Sequence, residues 1–137
     1  MGSRSDALAD KAVSLCGADF RLHGREAETG LDCIGLTNLC LLAAGLECDV
    51  PTGYSIRGGD VQSIIETMKL SGFVEIPDRE APRDGDVFLV RPSSIQLHFM
   101  ICTEGGFVHA HAGLRKVVFS PGQCPWPILH IFRILET

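Results

Sequence analysis

The sequence predicts an α+β domain, with helices first and an antiparallel sheet after them. Three features carry that prediction. Apolar residues recur at helical spacing through the first half of the chain. From Phe73 onward, β-branched and aromatic residues alternate with turn formers, the pattern of short antiparallel strands. At 137 residues and 45% hydrophobic content there is room for one domain, residues 1–137, that buries a core, and none for two.

The elements follow in order. Ser5 or Asp6 caps a first helix on which Leu8, Ala12, Leu15 and Cys16 share a face, and Gly17 stops it. A loop rich in Gly and charge follows, from Ala18 to Gly30. A second helix starts near Asp32 and runs to about Ala44, with Gly45 as terminator. Ile34, Leu36, Leu39, Cys40, Leu41, Leu42 and Ala43 make it apolar nearly all round, so it is expected to be central and buried. A second loop, Glu47 to Gly59, contains Pro51 and the single tyrosine, Tyr54. A third helix spans Asp60 to Ser71, with Val61, Ile64, Ile65 and Met68 on one face. Strands are expected at Val87–Val90, Leu97–Thr103, Phe107–His111, Val117–Phe119 and Leu129–Ile134, with Glu104-Gly105-Gly106 as a tight hairpin turn.

Charge excludes some functions. Twelve Lys+Arg against seventeen Asp+Glu leave a net charge of −5, and no basic cluster is present, so no nucleic-acid partner is expected. No uncharged apolar run reaches the roughly 18 residues of a membrane helix, so no membrane span is expected. The amino terminus passes straight into a charged amphipathic stretch without a signal-peptide core, which predicts synthesis in the cytoplasm.

Six cysteines and five histidines in so short a chain need an explanation. Disulfides are not required, because a core suffices at this length and the spacing is not that of a stapled mini-protein. Most of the cysteines then read as small packing hydrophobes. Cys33 differs, because it lies just inside a helix start, where the positive helix end stabilises a thiolate. Either it packs in a buried helix or it is a nucleophile. A nucleophilic thiol needs a base and a group that orients the base. His98 begins one strand; His109 and His111 lie beyond the turn. With an even-length turn all three project from one face, and with an odd one His98 faces away. His98 is then the candidate base, and His109 or His111 the group that fixes its tautomer. His23 and His130 read as ordinary surface residues. Zinc is the competing account, with three imidazoles and Cys33 as ligands, although no metal-binding motif is present.

Asp32-Cys33-Ile34-Gly35-Leu36, Arg83-Asp84-Gly85-Asp86-Val87, His98-Phe99-Met100-Ile101 and Phe107-Val108-His109-Ala110 together resemble the ordered signature of the NlpC family of papain-like cell-wall peptidases. The likeness spans Phe20 to about Phe119. The closing stretch Pro121–Phe132 and Ile34 are more similar to the branch found with phage-tail and gene-transfer-agent genes. The resemblance implies a papain-like fold in which the nucleophile helix packs on a C-terminal antiparallel sheet. It implies hydrolysis of an amide in peptidoglycan stem peptides, typically between D-glutamate and diaminopimelate, with no metal and no cofactor. It makes Cys33 the nucleophile, His98 the general base and acid, His109 the orienting group with His111 in reserve, and Asp32 a binder of the substrate's free amine. Phe20 and Ile34 stand where the family has tyrosine and serine. Tail-tip or baseplate proteins are the implied partners, and a virion or tail-like particle acting at the cell wall the implied location. Two alternatives are an interaction module with little or no catalysis and acyl transfer on the same scaffold.

Overall fold

A computed structural model describes residues 3–46, 61–94 and 96–136 of the chain. The expected Glu47 to Gly59 loop, the first residue of the expected third helix and Cys48 lie outside these.

The first helix, α1 (Arg4–Ser14), starts two or three residues earlier than its expected caps. Ser3 is the N-cap: its hydroxyl accepts from the Asp6 N–H and the Asp6 carboxylate accepts from the Ser3 N–H, a reciprocal capping box. Asp6 therefore belongs to the cap as its third helical residue. Leu8, Ala12 and Leu15 are buried as expected, whereas Cys16 is exposed and lies outside the core.

The expected loop from Ala18 to Gly30 contains two short paired strands, β1 (Arg25–Glu26) and β2 (Gly30–Leu31). They lead into α2 (Cys33–Ala43), whose N-cap is Asp32. The first five residues of α2 are buried, but Leu42 is 60% exposed, so the helix is buried at its start and along one side rather than all round. Gly35 explains the closeness of that packing. A Cβ there would lie 2.1 Å from the carbonyl oxygen of Gly24, so only glycine admits the Gly24–Arg25 backbone. The third helix, α3 (Val61–Leu70), buries Ile64, Ile65 and Met68.

Six strands form one antiparallel sheet: β3 (Phe73–Ile76), β4 (Val87–Ser93), β5 (Gln96–Thr103), β6 (Gly106–His111), β7 (Lys116–Pro121) and β8 (Ile128–Ile134), in the order β3-β8-β4-β5-β6-β7. β3 is an addition to the expected set; it pairs with β8 and closes that edge. The strands read as nearly continuous apolar runs because the sheet is covered on both sides. Leu89, Ile101, Val108 and Phe132 pack against the helices. Phe88, Met100, Phe107 and Ile131 fill a smaller cluster on the other face, closed by Cys124 and Trp126. Among the described residues no helix is long and apolar enough to cross a membrane.

The β5–β6 register decides the histidine geometry. Thr103 pairs with Gly106, which leaves the two-residue turn Glu104-Gly105, with Gly105 at φ 82°. The turn is even, so His98, His109 and His111 share a face of the sheet.

Candidate active site

Cys33 enters as the first residue of α2, held there by its neighbour. The Asp32 carboxylate is 1% exposed and all its capacity is directed inward. Oδ1 accepts from the Gly35 N–H at 2.8 Å and from Arg25 Nη1 at 2.8 Å, and Oδ2 accepts from the His23 N–H at 2.9 Å. A buried carboxylate is tolerable on those terms. His23 meets it with a left-handed backbone, φ 62°. Asp32 is thus a cap and an anchor for the preceding loop, and its carboxylate is not turned towards the cavity that Cys33 lines.

That cavity, of about 300 Å³, is lined by Phe20, Cys33, Gln96, His98, His109 and Trp126 among others. Its sheet residues come from the start of β5 and the end of β6, so it sits at that end of the sheet, below the start of α2. Strand alternation sends His98 and His109 to the face opposite the one on which α2 packs. The thiol lines the same cavity at the sheet's end, beside the N–H of Phe99, the residue after His98. Cys33 is 3% exposed. Burial pushes its thiol up to about 12; the Phe99 N–H opposes this, the Asp32 charge adds to it, and the thiol's own backbone N–H and Arg25 oppose it.

The histidines form a chain. His98 Nε2 and His109 Nδ1 are 3.0 Å apart, and His109 Nε2 lies 2.9 Å from Ser120 Oγ. Trp126, the chain's one tryptophan, stands edge-on to both rings with centroids 5.8 and 5.7 Å away. Burial, followed by the proximity of His109 and His111, pulls His98 down to about 3; burial and His111 pull His109 down to about 4. Both rings are neutral at pH 7. His111 lines the same cavity, but its Nδ1 accepts the Leu114 N–H at 3.0 Å and so holds the β6–β7 turn, while His109 takes the contact with His98. His130 instead pairs with Glu75 at the surface. Among the described residues no group of three or more His, Cys, Asp or Glu side chains is placed to hold a metal ion. The five described cysteines are all free thiols.

Two residues of the site were not singled out in the sequence. Ser120, which contacts His109, lies one residue past the expected end of its strand. Trp126, which lines the cavity, is flanked by Pro125 and Pro127, and its being the single tryptophan was the available signal. Phe20, named above where the family has tyrosine, also lines the cavity.

No protein-family model and no curated protein sequence matches the chain. Solved structures do. NlpC2 from Trichomonas vaginalis superposes with a TM-score of 0.72 at 16% identity, over 100% of this chain and 49% of that one. NlpC1 from the same organism is covered to 46%, so the chain spans about half the length of these two proteins. The P60 domain of an antigen of Mycobacterium avium subspecies paratuberculosis superposes with a TM-score of 0.67 at 22% identity, over 98% of this chain and 96% of that domain. RipD from Mycobacterium tuberculosis, a non-catalytic NlpC/p60 domain protein adapted to peptidoglycan binding, does so with a TM-score of 0.66 at 19% identity, over 98% of this chain and 100% of that one. The fold of this chain is the papain-like NlpC/p60 fold, an α+β architecture of helices packed on a six-stranded antiparallel sheet.

Proposed function

We propose that the protein is a cysteine-type hydrolase that cleaves an amide bond in the peptide stems of peptidoglycan. One observation carries this reading: a thiol at a helix start and a histidine already bound through its far nitrogen to a second histidine line one cavity.

The chemistry follows from the protonation states. With a thiol near 12 and an imidazole near 3, the resting pair is neutral, so the thiol loses its proton as it attacks. Cys33 Sγ bonds to the amide carbon while its proton moves to His98 Nδ1. The tetrahedral intermediate collapses, the C–N bond breaks, and the His98 proton leaves on the amine. Water then adds to the thioester, giving one proton to His98, which returns it to the sulfur as the acid departs. The Cys33 N–H, at the start of α2, is the natural donor to the developing oxyanion. In this scheme Cys33 is the nucleophile, His98 the general base and acid, and His109 its orienting partner. Asp32 acts by holding the helix start. The bond between D-glutamate and diaminopimelate is the proposed target, and assembly into a phage-like tail the proposed route to the wall.

A second reading is favoured by the closure of Cys33 and by the non-catalytic RipD among the structural neighbours: a peptidoglycan-binding module without turnover. Mass spectrometry of muropeptides after incubation with wild type and Cys33→Ala separates the two. The hydrolase reading expects new stem fragments with wild type, none with the variant, and abolition by thiol alkylation but not by chelators. Sedimentation with intact sacculi and no fragments from wild type would leave the binding module.

A further inference from the structure

The histidine chain does not end at His109. The β6–β7 register pairs Phe107 with Ser120 and His109 with Val118, which sets Ser120 diagonal to His109 on the same face. Its hydroxyl reaches His109 Nε2 at 2.9 Å. The backbone at this point is held closely: a Cβ on Gly106 would lie 2.2 Å from the Ser120 carbonyl oxygen, so glycine there brings the two strands together.

A neutral imidazole carries one proton, and in a chain of two the protons must run in the same sense. In one sense, His98 Nε2–H donates to His109 Nδ1, and His109 Nε2–H donates to Ser120 Oγ. His98 Nδ1 is then a bare lone pair. In the other sense, the Ser120 hydroxyl donates to His109, His109 Nδ1–H donates to His98 Nε2, and His98 Nδ1 carries the proton. The second sense puts the proton on His98 Nδ1 and leaves that nitrogen no lone pair for the proton of Cys33, which lines the same cavity. The first sense leaves the Ser120 hydroxyl proton free, and Ser120 is half-buried, so water takes it at little cost.

We propose that Ser120 is the positioning residue that terminates this relay: by accepting from His109 Nε2 it holds both histidines in the Nε2–H tautomer and keeps His98 Nδ1 open for the Cys33 proton. The proposal rests on the thiol–histidine reading of the site. Ser120 touches neither thiol nor substrate. It acts through His109 alone, and a hydroxyl does this without adding a charge that would draw His109 towards imidazolium.

Long-range proton–nitrogen NMR of histidine-labelled protein at pH 7 reads the tautomers directly. Wild type is expected to show protonated Nε2 and bare Nδ1 on both His98 and His109, Ser120→Ala a mixture on both rings, and Ser120→Thr the wild-type pattern. Iodoacetamide alkylation, followed on the Cys33 peptide by mass spectrometry, is expected to slow about 10-fold in Ser120→Ala and recover in Ser120→Thr. Stem-peptide cleavage is expected to lose about 10- to 100-fold in kcat with KM unchanged, at or below the lower limit of about 100-fold for general acid–base catalysis, as suits a residue that acts through another. Unchanged tautomers and an alkylation rate within twofold of wild type in Ser120→Ala overturn the assignment. A wild type that cleaves no stem peptide, yet shows the tautomer and alkylation responses, defeats the hydrolase reading and leaves the relay standing.

Discussion

Acid should unfold this protein through its own candidate site. His98 is buried and neutral, pulled from 6.5 to about 3 by desolvation and then by His109 and His111. As pH falls below 6.5, the unfolded chain binds a proton at this residue that the folded chain refuses, so stability is present above 6.5 and is lost down to about 3. At pH 4 the refusal is worth about 3 kcal/mol, from roughly 2.5 decades of unbalanced protonation at about 1.4 kcal/mol each. His109, lowered to about 4, acts in the same direction. Against a domain stability of about 5–15 kcal/mol this is a large fraction. Urea denaturation followed by circular dichroism at pH 7, 6, 5 and 4 measures it. Wild type is expected to lose about 3 kcal/mol or more across that range, and His98→Gln, which has nothing to titrate there, to show a slope flatter by about 3 kcal/mol. Parallel slopes for the two proteins would mean that His98 is solvated or paired as a cation, and the reasoning from burial would fail.

Two further outcomes test how the thiol is held. Gly35→Ala places a methyl against the Gly24 carbonyl and should cost about 2–4 kcal/mol, read as a lowered urea midpoint; an unchanged midpoint would mean that the loop yields. Asp32→Ala takes the acceptor from the Gly35 and His23 N–H groups and from Arg25 Nη1, which keeps the Gly24 carbonyl, and should cost about 2–3 kcal/mol in the same assay, whereas a change confined to KM would return Asp32 to substrate binding.

The parts of the fold that periodicity governs were legible. Helical spacing located α2 to within a residue, because Asp32 and Gly45 punctuate it chemically. Alternation located five of the six main strands. What escaped depends on tertiary pairing. β3 is four residues long, and only β8 beside it makes it a strand. β1 and β2 are two residues each and take their conformation from packing under α2. At the site, Cys33 and His98 were visible from residue type and position, and the common histidine face followed once the turn proved to have two residues. Asp32 illustrates the opposite case. Its place before the cysteine is plain in sequence, but the ring of donors that consumes its carboxylate is assembled from Arg25 and His23 across a loop whose path no local pattern encodes. Ser120 was hidden because the strand expected to end at Phe119 runs two residues further, to Pro121, which is within the usual precision of strand ends.

The Glu104-Gly105 turn also constrains how such a chain diverges. A single inserted codon at this hairpin has two outcomes: absorbed as a three-residue loop it leaves the pairing and His109 in place, whereas with the loop kept at two residues β6 slips by one and turns His109 away from His98. The slip would also take Val108 and Ala110 out of the core under the helices, so it costs stability together with the contact between the two rings. The packing of β6 on the helices therefore guards the histidine register against length drift at this tip, whereas the proline-rich segment that carries Trp126 answers to no such rule.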